Sequence, residues 1–128
     1  MAWIRSMGNP PPAIIKMIEA GVAVLPYTGG AQATVSGIRV YRTSGNSYEA
    51  KFNIDLTNMD NVSCSYINRT GSGYAVIAVD GVNVGSNNAG SGTILASVSA
   101  YTGTHEVKLF CSEVNAEFTA TEFVASKS

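Results

Sequence analysis

The chain has 128 residues, a formal net charge of −1, only 13% charged residues, two cysteines and one histidine. Its length fits one domain with a real core. The scattered Lys and Arg lack the clustering a nucleic-acid binder needs, and one His with no paired-Cys spacing argues against a zinc site. No apolar run reaches membrane-spanning length, because Lys16 and Glu19 interrupt the stretch from Ala13 to Leu25. The N-terminus, Met1-Ala2-Trp3-Ile4-Arg5 followed by prolines, does not have the pattern of a secretory signal peptide.

Residues 1–12 read as an irregular arm ending in Pro10-Pro11-Pro12. A short helix is expected to start at the prolines. Ile14, Ile15, Met17 and Ile18 would form its apolar stripe and Gly21 its stop. Two turns do not hold alone, so Trp3, Ile14, Ile15 and Ile18 are candidate assembly contacts. Val22–Leu25 can begin the first strand. Val35–Arg42 reads as a strand kinked at Gly37, and Tyr48–Leu56 as one strand with Tyr48, Ala50, Phe52, Ile54 and Leu56 facing the core. Val62, Cys64 and Tyr66 alternate with Ser63 and Ser65. Tyr74–Val79 is apolar and β-branched, and Asp80-Gly81 before Val82 signals a tight hairpin. Gly85–Gly92 reads as a flexible polar loop. Ile94–Val98, Glu106–Cys111 and Ala116–Val124 supply the remaining strands, with a tail from Ala125 expected to fray. The fold class that follows is all-β: an antiparallel, jelly-roll-like β-sandwich of about eight strands with a short N-terminal helix. Its divisions are an arm and helix over 1–21 and a sandwich over 22–128.

Catalytic groups do not assemble in the sequence. His105 beside Glu106 reads as a polar residue at a strand start, and no two carboxylates stand out as a glycosidase pair. Gly71-Ser72-Gly73 and Gly90-Ser91-Gly92 do not lie between a strand and a helix, so neither is a phosphate cradle. Asp55, Asp60 and Asn61 read as turn residues rather than calcium ligands. Asn61-Val62-Ser63 and Asn68-Arg69-Thr70 match the glycosylation triplet, which matters only in a eukaryotic secretory setting. Cys64 and Cys111 read as buried free thiols, with a bridge between strands as the alternative. Neither a cofactor nor a metal is called for, and the chain reads as no enzyme. Six tyrosines offer faces for sugar stacking. Tyr41 and Tyr101 are the candidate ligand-stacking rings, and Tyr48 is assigned to the core.

Two stretches resemble known families. Val79-Asp80-Gly81, followed by a polar loop and then Gly103-Thr104-His105-Glu106-Val107-Lys108-Leu109, resembles β-sandwiches of the carbohydrate-binding-module and phage tail-associated kinds. Met1–Gly8 resembles the starts of small virion proteins from phages of Gram-positive bacteria. The resemblance implies a non-enzymatic phage or prophage structural or adhesion protein of tail, baseplate or particle surface. It would be located in the virion and would act as a homo-oligomer or with other virion proteins, a cell-surface glycan being a further partner. The alternative is a carbohydrate-binding module of a secreted bacterial protein, located extracellularly.

Overall fold

The structure, a computed structural model, describes residues 14–19, 22–23 and 26–127. Among the described residues, twelve strands form two antiparallel sheets packed face to face. The larger sheet holds β1 (Ile14–Glu19), β2 (Val22–Ala23), β3 (Gln32–Ala33), β4 (Ile38–Arg42), β5 (Ser47–Tyr48), β7 (Asn61–Thr70), β10 (Gly92–Ser97) and β12 (Ala116–Ser126). The smaller sheet runs β6 (Ala50–Asp55), β11 (Thr104–Cys111), β8 (Ala75–Val79), β9 (Val82–Asn87). β12 is the spine of the larger sheet. One of its edges pairs with β7, and the other with β4 over Ala116–Ala120 and with β1 over Phe123–Ser126.

Alternation produces these strands. On β6, Ala50, Phe52 and Ile54 point inward while Lys51, Asn53 and Asp55 point outward. On β11, Val107, Leu109 and Cys111 do the same. The inner faces meet in a core that contains Tyr66, Phe118, Phe123, Ile77, Ile94 and Leu109, all at 1% exposure or less. Tyr66 meets Phe118 edge-on at 5.7 Å, and Phe52 lies 5.8 Å from Phe123, separations at which aromatic pairs attract. Tyr66 keeps its hydroxyl bonded by donating to the Ala89 carbonyl at 2.9 Å, so its burial leaves no orphan donor.

Three expectations are corrected. First, residues 14–19 form a strand and not a helix. β12 offers an unpaired backbone edge beyond Ala120, and the β-branched Ile14, Ile15 and Ile18 suit a ladder better than two unsupported helical turns. Ile18 is fully buried, and β1 carries a bulge between Lys16 and Ile18. Second, the Tyr48–Leu56 run is two strands in different sheets. Tyr48 pairs with Tyr41 on β4, whereas Ala50 pairs with Leu109 on β11, so the chain changes sheet at Glu49. Third, Ala125 does not fray, because it is fully buried and sits between Ile15 and Val62 in register.

The Asp80-Gly81 turn has φ of +51° and +81° at its two central residues, as a type I′ hairpin requires. β9 continues through Asn87, beyond the point where the polar composition suggested a loop. It carries a bulge between its pairs with Ile77 and Ala78. Gly85 lets β9 press on β10: a Cβ there would stand 3.0 Å from the Ala96 Cβ and 3.1 Å from the Leu95 carbonyl oxygen. The Asn87 amide also donates to the Thr93 carbonyl at 3.0 Å. The two sheets therefore close against each other at this corner, which shields both edge strands.

Candidate functional site

The outer face of the smaller sheet contains a trough. All five residues of β8 are buried. Ala75, Ile77 and Val79 belong to the core, while Val76 and Ala78 alternate with them and form the floor of the outer face. Their burial follows from their neighbours, since Phe110 and Lys108 stand opposite them on β11, and Ser86 and Asn83 on β9. On this face lies an open groove of about 340 Å³, lined by Tyr74, Val76, Asn83, Ser86 and Ser112, with Val84 and Gly85.

Tyr74 stands at one end and is 47% exposed. Its N–H donates to the Ser112 Oγ at 2.8 Å, and its carbonyl accepts the Ser112 N–H at 3.0 Å. Gly73, at φ +81°, allows this approach, because a Cβ would meet the Ser112 Oγ at 2.5 Å. Arg69 ties together the two loops on either side. Its Nη1 donates to the carbonyls of Gly71 and Gly73, both at 3.1 Å, and its Nε to those of Asn88 at 2.8 Å and Ala89 at 3.2 Å. Four carbonyls on one guanidinium hold the ring's base and the exit of β9 in fixed relation. Among the described residues, the lining holds no carboxylate and no ammonium. It offers one aromatic face, two serine hydroxyls and one amide, which suits an uncharged ligand rich in hydroxyls. Lys108 lies outside the lining: its Nζ is 4.6 Å from the centre of the Phe110 ring and 3.9 Å from the Glu49 carboxylate.

The residues singled out from the sequence lie elsewhere. Tyr41 stacks on Tyr48 at 4.5 Å with 19° between planes, and the Arg39 guanidinium carbon lies 4.0 Å from its ring centre. Two groups that close cannot share one face, so both faces of Tyr41 are occupied. Arg39 is held in turn by Glu117 at 2.9 Å. Tyr101 is half-buried against the core and meets the His105 ring edge-on at 5.2 Å. Ile18 is in the core, Ile14 and Ile15 lie on β1 opposite Ser126 and Ala125, and Trp3 lies outside the described residues. Tyr74 is the residue that sequence reasoning passed over. Its parity with Val76 and Ala78, opposite to that of Ala75, Ile77 and Val79, was the available signal.

His105 bridges two loops. Its Nδ1 is 2.5 Å from the Asp80 Oδ2 and its Nε2 is 2.7 Å from the Thr102 carbonyl, while the other Asp80 oxygen accepts the Glu106 N–H at 3.1 Å. The Thr57 hydroxyl and N–H hold the Asp55 carboxyl below the usual carboxylate range, the mark of a turn residue. Cys64 and Cys111 are free and buried, and burial pushes the Cys111 thiol up to about 12 and Cys64 higher still.

No family model and no curated protein matches the sequence. Solved structures do match the fold. One is described as the carbohydrate-binding module CBM36 in complex with calcium and xylotriose. It has a TM-score of 0.56 and 18% identity, and the match covers 90% of this chain and 99% of that one. Another is the CBM36-1 domain of a multidomain xylanase from the hindgut metagenome of Trinervitermes trinervoides (TM-score 0.58, 12% identity, 92% of this chain and 98% of that one). A third is a family two carbohydrate esterase from Cellvibrio japonicus (TM-score 0.56, 9% identity), in which 92% of this chain corresponds to 34% of that one. At these identities the likeness is one of fold: the chain has the sandwich of carbohydrate-binding modules.

Proposed function

We propose that this domain is a non-catalytic glycan-binding module that works outside the cell and takes a neutral polysaccharide chain in the Tyr74 trough. The observation that carries this reading is the lining itself: an open groove of about 340 Å³ with a half-exposed tyrosine and only neutral hydrogen-bonding groups. A sugar ring presents a C–H face to the phenol, and its hydroxyls bond Ser86, Ser112 and Asn83. Arg69 holds the Gly71–Gly73 backbone next to the ring before a ligand arrives, which lowers the ordering cost of binding. The fold neighbours named as modules for xylotriose or as parts of a xylanase support the substrate class by analogy of fold. The virion reading drawn from Met1–Gly8 gains no support from these neighbours, so the carbohydrate-binding alternative is the better supported.

Affinity electrophoresis through gels containing arabinoxylan, mixed-linkage β-glucan or hydroxyethylcellulose tests this. Retardation by at least one of these neutral polymers is expected. Tyr74→Ala is expected to weaken it about tenfold, equivalent to about 1.4 kcal/mol, within reach of one lost aromatic contact. Free migration in all three gels, or a Tyr74→Ala protein retarded as strongly as the parent, would overturn the reading.

A further inference from the structure

His105 occupies a position that only one of its protonation states satisfies. Nδ1 faces a carboxylate oxygen of Asp80 at 2.5 Å, and Nε2 faces the Thr102 carbonyl at 2.7 Å. Both partners accept, so both ring nitrogens must donate, and only the imidazolium carries two N–H groups. The neutral ring has one proton to give. The Asp80 carboxylate is the stronger acceptor and retains it, which leaves the Nε2 lone pair aimed at the Thr102 oxygen. We propose that His105 is a proton-operated clasp, which in its imidazolium form pins the loop carrying Tyr101 and Thr102 to the Asp80-Gly81 turn and on losing a proton lets the Thr102 end go.

The surroundings favour the charged form. The charged groups nearest in register are Asp80 on the turn, Glu106 on the same strand and Asp55 on β6 opposite Thr104. All three are acidic, and the Tyr101 ring abuts the imidazole edge-on. The Asp80 carboxylate, then the Thr102 carbonyl, hold His105 above the ordinary histidine value. Its partner Asp80 is held below the usual carboxylate range by His105 and by the Glu106 N–H. The sign of the linkage follows. A raised His105 stabilises fully below about pH 6.5 and loses that contribution as pH rises through its elevated folded value. A lowered Asp80 stabilises fully above about pH 3.9 and loses that contribution as pH falls through its depressed value. The clasp is therefore fully set between about pH 4 and 6.5 and opens on the alkaline side. Beyond it, the loop stays attached through the bonds of Gly103 to Leu56 and to the Thr57 hydroxyl, so opening is local.

Because His105 is the sole histidine, one ring signal in a carbon-correlated NMR titration reports it without ambiguity. A midpoint above about 6.5 is expected, with long-range nitrogen spectra showing protons on both ring nitrogens below it. The amide chemical shifts of Tyr101, Thr102 and Gly103 should move through the same midpoint. Asp80→Asn should move the midpoint down, and His105→Gln should leave these amides indifferent to pH across that range. A midpoint at or below the ordinary value, loop amides that ignore the histidine titration, or a pH response that persists in His105→Gln would overturn the clasp.

Discussion

Replacing Ile18 with alanine tests whether the N-terminal segment is a working part of the sandwich. Ile18 is fully buried and sits opposite Phe123 on β12. The substitution removes three carbons, which at about 0.8 kcal/mol each comes to roughly 2.4 kcal/mol of lost burial. The cavity left behind raises the cost to about 3 kcal/mol, inside the range of about 2–5 for buried Ile to Ala. For a chain of this size that corresponds to a fall in Tm of about 10–15 °C. Urea unfolding followed by far-UV circular dichroism measures it, and an unchanged m-value would show that the two proteins expose the same surface on unfolding. Ile18→Val gives a graded control at about 1 kcal/mol, since it removes one methylene and keeps the β-branch. A loss below about 0.5 kcal/mol for Ile18→Ala, the size of a surface change, would refute the docking of β1.

Two further outcomes follow from particular residues. Gly81 has φ +81° with open space where a Cβ would be, so Gly81→Ala should cost about 1 kcal/mol by backbone strain alone in urea unfolding. Gly45, equally open but without a positive φ, should tolerate the same change, and equal effects at both sites would contradict the turn assignment. The thiols of Cys64 and Cys111 should resist Ellman's reagent at pH 8 in the native protein and both react once guanidinium unfolds it, because buried, protonated thiols are poor nucleophiles. Stoichiometric labelling of the native protein within minutes would contradict their burial.

The parts of this fold governed by period-two patterning were legible. Phe52, Ile54, Ile94, Ala96, Val98, Val107 and Leu109 are all where alternation puts them, buried on inner faces. Asp80-Gly81 was readable because few residue pairs accept positive φ twice in succession. What alternation cannot carry is the partner of a strand. Tyr48 and Ala50 keep the same parity, yet the chain passes from one sheet to the other between them. The Ile14–Ile18 run fits a period of two or of 3.6, and only the vacant edge of β12 decides between them. The second half of β9, from Gly85 to Asn87, reads as loop from its Gly, Ser and Asn, but its ladder with β8 makes it strand. The trough was hidden for the same reason. Its floor, Val76, lies between Phe110 on β11 and Ser86 on β9, which is a fact of pairing. Tyr41 was singled out by strand parity with Arg39, and that parity is what lets Arg39 cover one face of its ring while Tyr48 covers the other.

The central claim is that the Tyr74 trough is where a neutral glycan binds. The most direct measurement is an amide-correlated NMR titration of the whole chain with xylohexaose and, separately, cellohexaose. The account predicts saturable shifts from at least one of them, clustered on Tyr74, Val76, Asn83, Ser86 and Ser112 and lost in Tyr74→Ala. Shifts centred instead on Tyr41 and Tyr48 on the larger sheet, or no shifts with either sugar, would contradict it.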